Sequence, residues 1–68
     1  MDYPEDTLGD KIRKIRNMRG YTAKELSKLC GISENSIYCY ESDTAIPGKS
    51  TLKKIANALD ISLEYLKD

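Results

Sequence analysis

Between residues 33 and 41 the chain carries a run of side chains that can form directed hydrogen bonds. The polar members of this run are Glu34, Asn35, Ser36, Tyr38 and Cys39. If the run is helical, Ile37 and Tyr40 form one buried stripe and leave these polar groups on the outer face. An asparagine can bind adenine through two hydrogen bonds, and a glutamate can accept one from the amino group of cytosine. The segment therefore predicts a helix that can lie in the DNA major groove with its first turn at the base edges.

The residue types that enzymes most often use for catalysis are scarce in this chain. It has no histidine, and its only cysteines are Cys30 and Cys39. The sequence also lacks a Gly-rich phosphate loop and a cluster of metal ligands, so nothing supplies a nucleophile with its base. We therefore predict a protein that is not an enzyme, with no catalytic residues, no metal and no cofactor.

The cysteines and the hydropathy pattern indicate the compartment. No secretory signal precedes the cysteines, so we expect both thiols to be reduced and the protein to be cytoplasmic. No apolar run approaches the roughly 20 residues that span a bilayer, so no membrane partner is expected. Cys30 is predicted to be a small buried hydrophobe. Cys39 is either a tolerated residue on a polar face or an accessible thiol that senses oxidants.

Apolar residues at helical spacing predict an all-α chain of five helices. The expected helices cover roughly 7–19, 22–31, 33–41, 49–59 and 61–66. Thr7 with Asp10 three residues later resembles a capping box for the first of them, with Asp in place of Glu. Their expected inward residues are Leu8, Ile12, Ile15, Met18, Leu26, Leu29, Cys30, Ile37, Tyr40, Leu52, Ile55, Ala56, Leu59 and Leu66. A chain of 68 residues holds one domain, spanning 1–68, whose first six residues are expected to fray.

The segment from Thr22 to Glu41 has the organisation of a helix, a short glycine-containing turn and a second helix. Thr22 opens a capping box of the form S/T-x-x-E, and Ser33 can cap the second helix. Gly31 supplies the positive φ that the turn requires. The small side chains of Ser27 and Ser36 permit a close crossing. This is the pattern of a helix-turn-helix.

The formal net charge is zero, yet the charges are unevenly distributed. Residues 11–54 hold ten basic and four acidic side chains, a net charge of +6, whereas the two ends together carry −6. A basic middle segment is compatible with a surface that faces DNA, although an ordinary solvated exterior has the same composition. The basic run over 11–16 is expected to be the solvated face of an amphipathic helix, with Arg16 as the exception.

The helix-turn-helix segment resembles that of the lambda-repressor and Cro-like family, also called the xenobiotic-response-element type. The matching elements are Leu26, Gly31-Ile32-Ser33, Ile37-x-x-Tyr40-Glu41, Pro47, Leu52-x-x-Ile55-Ala56-x-Ala58-Leu59 and Ile61-Ser62-Leu63-x-x-Leu66. The resemblance covers about residues 8–66. It implies a compact five-helix bundle that acts as a sequence-specific DNA-binding transcriptional regulator, with the third helix (about 33–41) in the major groove.

The resemblance also implies roles for individual residues. Positions that contact bases in the family are Glu34, Asn35, Ser36 and Cys39. Positions that contact phosphates are Ser33, Ser42, Thr44 and Lys49. Tyr38 either binds a phosphate as well or simply covers the helix surface. Arg16 and Glu41 match an ion pair that ties the first helix to the end of the third.

The implied partner is double-stranded DNA with a two-fold operator, bound by a homodimer. We expect the contact between subunits near Tyr65 in the C-terminal segment, where Leu66 is expected to belong to the core. Met1 favours an authentic N-terminus, and the sequence leaves open whether the chain is one domain of a longer regulator.

Three positions depart from the family pattern. Ala23 replaces a glutamine that contacts the DNA backbone, Asp43 replaces a glycine near the expected phosphates, and Gly48 replaces a serine cap. The first two weaken the expected grip on the DNA backbone. Together with the neutral net charge, they keep open an alternative: a protein-binding module on the same fold, such as an antitoxin-like or anti-repressor subunit.

Overall fold

The computed structural model describes residues 7–67, and within that range it contains five α-helices and no strand. The helices are α1 (Leu8–Met18), α2 (Ala23–Cys30), α3 (Glu34–Glu41), α4 (Lys49–Leu59) and α5 (Leu63–Lys67). The predicted all-α, five-helix fold is confirmed, whereas the expectation that residues 1–6 fray concerns residues outside the described range. None of the helices in that range is long and apolar enough to cross a membrane.

The first two helices begin at reciprocal capping boxes, as the sequence predicts. The Thr7 hydroxyl accepts a hydrogen bond from the Asp10 amide at 3.1 Å, and the Asp10 carboxylate accepts one from the Thr7 amide at 3.4 Å. Thr22 and Glu25 form the same two bonds at 3.1 and 2.8 Å. Each box pairs amide groups that the helix itself leaves without partners.

The C-terminal end of α4 is held by a side chain from the end of α1. The Arg19 guanidinium donates hydrogen bonds to the carbonyl oxygens of Leu59 at 2.9 Å and Asp60 at 3.2 Å. A cation at this end of a helix also interacts favourably with the helix dipole. α1 and α4 are therefore fixed relative to one another by polar contacts as well as by packing.

The core lies where α1 packs on α3, α4 and α5, and where α2 packs on α3 and α4. Its largest fully buried side chains are Ile12, Leu26, Ile37, Ile55 and Leu59. Burying each such side chain contributes about 1.5–3 kcal/mol. α5 closes the bundle with Leu66, which is buried as predicted. This core sets the positions of α2 and α3, the two helices of the predicted helix-turn-helix.

Two of the residues predicted to point inward are in fact exposed. Met18 is 73% exposed and Leu29 is 55% exposed. At 3.6 residues per turn, Met18 lies about 120° around α1 from the buried Ile12, so it leaves the core face. The buried face of α2 is formed by Ala23, Leu26 and Cys30, and Leu29 falls beyond its edge.

Candidate nucleic-acid interface

A tight turn joins α2 to α3. Gly31 has φ 70°, and the amides of Gly31 and Ile32 both donate to the Ser27 carbonyl oxygen, at 2.9 and 3.2 Å. Ser33 then starts α3, because its hydroxyl accepts a hydrogen bond from the Ser36 amide at 3.2 Å. The predicted helix-turn-helix is confirmed, and α3 is anchored to α2 through the buried Leu26 and Ile37.

α3 is buried on one face and polar on the other. Ile37 and Glu41 are buried, whereas Ser33, Asn35 and Tyr38 are exposed. The remaining predicted base-contact residues, Glu34, Ser36 and Cys39, are half-buried. All the residues that the sequence assigns to base contacts therefore lie on this one helix, and Asn35 is the exposed one in its first turn.

Hydrogen bonds within α3 hold several of these side chains in place. The Tyr38 hydroxyl donates to the Glu34 carboxylate at 3.3 Å, one helical turn away. The Ser33 hydroxyl donates to the Ser36 hydroxyl at 2.8 Å. Because both contacts are exposed, their partners can exchange for water or for groups on a ligand. The outer face is thus partly organised before any ligand arrives.

Three of the predicted phosphate contacts, Ser42, Thr44 and Lys49, follow α3 in the chain. Ser42 and Thr44 are exposed and share a hydrogen bond between their hydroxyl groups at 2.8 Å. Lys49 is the exposed first residue of α4, and Gly48 before it provides no side-chain cap. The N-terminus of a helix attracts anions through its unpaired amide groups and its dipole. The chain that follows α3 therefore supplies two hydroxyl groups, a cation and the N-terminus of α4.

Asp43 is exposed, and its carboxylate is bonded to the start of α1. Its backbone is left-handed, with φ 61°. Its carboxylate accepts hydrogen bonds from the Thr7 hydroxyl at 2.6 Å and from the Gly9 amide at 3.1 Å. The negative charge thus lies at the N-terminus of α1, where the helix dipole favours it. Asp43 replaces the family's glycine at a point that requires positive φ, and it gains a structural partner there.

The ion pair predicted between Arg16 and Glu41 is present. Arg16 donates to the Glu41 carboxylate through Nε at 2.6 Å and through Nη2 at 3.1 Å. It also donates to the Tyr21 carbonyl oxygen at 2.8 Å through Nη1. The hydrogen bond to Glu41 is the main cause that raises the pKa of Arg16. Since Glu41 is only 6% exposed, this pair fixes the end of α3 against α1.

Gly9, in the first turn of α1, is a structurally important residue that the sequence reasoning missed. A Cβ atom at this position would lie 2.5 Å from the carbonyl oxygens of both Tyr40 and Glu41. Only a glycine lets α1 approach the end of α3 so closely. The available signal was the glycine itself, since glycine is unfavourable inside a helix unless packing requires it.

Both cysteines are free thiols. Cys30 is buried as predicted, its thiol donates to the Leu26 carbonyl oxygen, and burial raises its pKa. Cys39 is half-buried on α3. Among residues 7–67, no group of three or more cysteine, aspartate or glutamate side chains could hold a metal ion.

An apolar groove of about 380 Å³ lies between α1 and α5, away from α3. It is lined by Lys14, Ile15, Met18, Ile61, Ser62 and Tyr65. Tyr65 is 39% exposed, and the Lys11 ammonium lies 5.6 Å from the centre of its ring. The exposed side chains of Met18 and Tyr65 therefore line the same groove.

Comparison with known sequences identifies relatives among bacterial regulators. The helix-turn-helix family model matches residues 12–66. The HTH-type transcriptional regulator ImmR of Bacillus subtilis is 35% identical over 60 residues, which cover 88% of this chain and 47% of ImmR. A prophage-derived HTH-type transcriptional regulator of the same organism, YonR, is 31% identical over 59 residues, which cover 87% of this chain and 55% of YonR. The chain spans about half the length of these curated relatives.

Solved structures share the fold over most of the chain. The biofilm regulator SinR of Bacillus subtilis, solved in complex with DNA, superposes with a TM-score of 0.87 at 27% identity, over 91% of this chain and 100% of that one. The P22 c2 repressor, solved with a synthetic operator, superposes with a TM-score of 0.84 at 28% identity, over 88% of this chain and 91% of that one. With a family match that covers most of its length, this chain belongs to the helix-turn-helix family of lambda-repressor and Cro-like proteins.

Proposed function

We propose that this chain is a sequence-specific DNA-binding transcriptional regulator that acts in the cytoplasm and places α3 in the major groove. The observation that carries the proposal is the outer face of α3, which is polar and exposes Asn35 in its first turn. The helix is anchored by α2 and by the Arg16–Glu41 pair. The likeness to SinR and the P22 c2 repressor, both solved with DNA, supports it.

The residues of α3 and its surroundings divide into two roles. Base edges are read by Glu34, Asn35, Ser36 and Cys39. Phosphates are bound by Ser33, Tyr38, Ser42, Thr44 and Lys49. Support for this division comes from the exposure of Asn35 in the first turn of α3 and of Lys49 at the start of α4. Base contacts specify the sequence, whereas phosphate contacts supply affinity and position.

Substituting one residue from each group tests the proposal. Asn35→Ala should cost about 1–3 kcal/mol of binding free energy on the cognate site and relax the preference at one base position. Lys49→Ala should weaken binding to all duplexes about equally and lower the salt slope by roughly one unit. The measurement is a titration of both variants against a duplex selected from a random library and a scrambled duplex, at two salt concentrations.

The two variants control for each other, because both change exposed side chains on the same molecule. If Asn35→Ala binds both duplexes as the wild type does, α3 does not read the sequence. The proposal fails outright if the wild-type protein shows no salt-dependent binding to either duplex.

A protein-binding role, antitoxin-like or anti-repressor, is the second candidate. One observation favours it: of the nine residues proposed to contact DNA, only Lys49 carries a positive charge, while Glu34 carries a negative one. Retention of the wild-type protein on heparin at low salt, lost steeply as salt rises, separates the candidates. A protein that binds only another protein through this face would show no such slope.

We further propose that two copies bind a two-fold operator, because one recognition helix covers too few base pairs to specify a site. Their half-sites would then lie about one helical turn, roughly 34–36 Å, apart. The groove at Tyr65 is the proposed contact between subunits, and the exposed Met18 beside it supports this choice.

A charged residue introduced into this groove should weaken binding of the dimer to two half-sites without changing the affinity for one half-site. Met18→Lys should reduce affinity for a duplex with both half-sites, while affinity for a single half-site stays near that of the wild type. Because Met18 is exposed, the substitution should leave the fold intact, and a melting curve checks this. One-to-one stoichiometry on the best site, measured by analytical ultracentrifugation, would contradict the dimer.

A further inference from the structure

α1 contributes a cation to the surface at the end of α3. A groove of about 310 Å³ separates the two helices there and is lined by Arg13, Tyr38, Cys39, Glu41 and Ser42. Sequence reasoning assigned Arg13 to a solvated face of α1. The structure leaves Arg13 exposed, as expected, and also places it beside two residues that are proposed to contact phosphates, Tyr38 and Ser42.

The acidic groups around this groove already have partners. The Glu34 carboxylate accepts a hydrogen bond from the Tyr38 hydroxyl at 3.3 Å, an exposed contact that a phosphate can replace. Glu41 is buried and accepts two hydrogen bonds from Arg16. Asp43 is bonded to the N-terminus of α1. Asp10 pairs with Arg13 at 3.3 Å, with both side chains about half exposed. An exposed pair of this kind is weak, so Arg13 can exchange it for a stronger anion.

If α3 lies in the DNA major groove, the protein groove between α1 and α3 falls where a DNA strand is expected. Glu34, Tyr38 and Ser42 follow one another at four-residue spacing along one side of the helix and its cap. At 1.5 Å per residue, Glu34 and Ser42 are about 12 Å apart along the axis. The major groove is also about 12 Å wide. If the first turn of α3 reaches the bases, its far end therefore lies near a bounding phosphate backbone.

The charge of the proposed DNA interface also indicates that Arg13 contacts a phosphate. Lysine and arginine contacts to phosphates supply the salt-dependent affinity of DNA-binding proteins. Among the nine residues proposed above, Lys49 alone can do so. A guanidinium group binds phosphate through two parallel hydrogen bonds, which fixes orientation as well as adding affinity.

We propose that Arg13, together with the hydroxyl groups of Tyr38 and Ser42, forms a binding site for a DNA backbone phosphate in the groove between α1 and α3. The site rests on the proposed DNA-binding function and adds α1 to the interface. Arg13 holds the phosphate, and the site fixes how far α3 can slide along the major groove.

The test compares three variants with the wild type: Arg13→Gln, Arg13→Lys and Lys28→Gln. Lys28 is an exposed cation on α2 that lines a different groove with Tyr21 and Leu29, so it controls for the loss of one surface charge. Each protein is titrated against a selected duplex and a scrambled duplex over a series of salt concentrations. Arg13→Gln should lower the slope of log affinity against log salt by about 0.9 on both duplexes.

Arg13→Lys should keep this slope, and Lys28→Gln should not change it. All variants should melt with the wild type, since Arg13 and Lys28 are exposed. The proposal is overturned if Arg13→Gln keeps the wild-type slope, if it matches Lys28→Gln, or if it weakens only the selected duplex. Absence of salt-dependent binding by the wild type would instead remove the proposed function itself and this site with it.

Discussion

Glu41→Ala should lower the free energy of unfolding by about 3–5 kcal/mol, because it leaves the largely buried Arg16 guanidinium, whose side chain is 12% exposed, without its carboxylate. A domain of this size has a total stability of only about 3–10 kcal/mol. The melting temperature should therefore fall by more than about 12 °C, and part of the population should be unfolded at ordinary temperatures. Thermal unfolding followed by circular dichroism measures the change directly.

A double variant separates the value of the ion pair from the cost of leaving one partner unpaired. Replacing a whole buried pair with apolar residues is often neutral, whereas removing one partner is strongly destabilising. We therefore expect Arg16→Met combined with Glu41→Leu to be more stable than Glu41→Ala. Some loss should persist, because the Tyr21 carbonyl oxygen also loses its donor. A Glu41→Ala protein that melts within about two degrees of the wild type would show that the pair contributes little.

The same ion pair connects stability to the proposed function. It holds the C-terminal end of α3 against α1, while the turn at Gly31 holds the N-terminal end against α2. Loss of the pair should therefore allow the polar face of α3 to tilt even in molecules that remain folded. A partially stable variant such as Glu41→Gln should lose DNA affinity in addition to stability.

Features encoded by residues close together in the chain were predicted correctly from the sequence. The capping boxes at Thr7 and Thr22 depend on residues three positions apart, and the left-handed turn depends on Gly31 alone. The spacing of Ile12, Leu26 and Ile37 identified the buried faces. Such local rules suffice for the five helices and for the side of α3 that faces outward.

Sequence reasoning failed where the outcome depends on contacts between distant residues. Periodicity shows that a helix has an apolar face but does not give its width, so Met18 and Leu29 were wrongly assigned to the core. The direction of the Asp43 carboxylate depends on α1, 34 residues earlier in the chain. The placement of Arg13 beside the end of α3 likewise follows only from how α1 packs.

Gly9→Ala tests the close contact between α1 and the end of α3. The substitution has two opposing effects on the stability of the protein. Helix propensity alone would favour alanine over glycine by about 1 kcal/mol. The new Cβ, however, would lie 2.5 Å from two backbone carbonyl oxygens at the end of α3, and backbone cannot move aside as a flexible side chain can. Overpacking of this kind typically costs about 1–3 kcal/mol, so we expect a net loss of stability.

Asn17→Ala provides the matched control, because Asn17 is an exposed position on the same helix. It should gain stability from helix propensity without any steric conflict, and so the two alanine variants should shift the melting temperature in opposite directions. If both variants are stabilised, α1 does not approach α3 as closely as the structure shows. Gly9 would then be an ordinary helix residue.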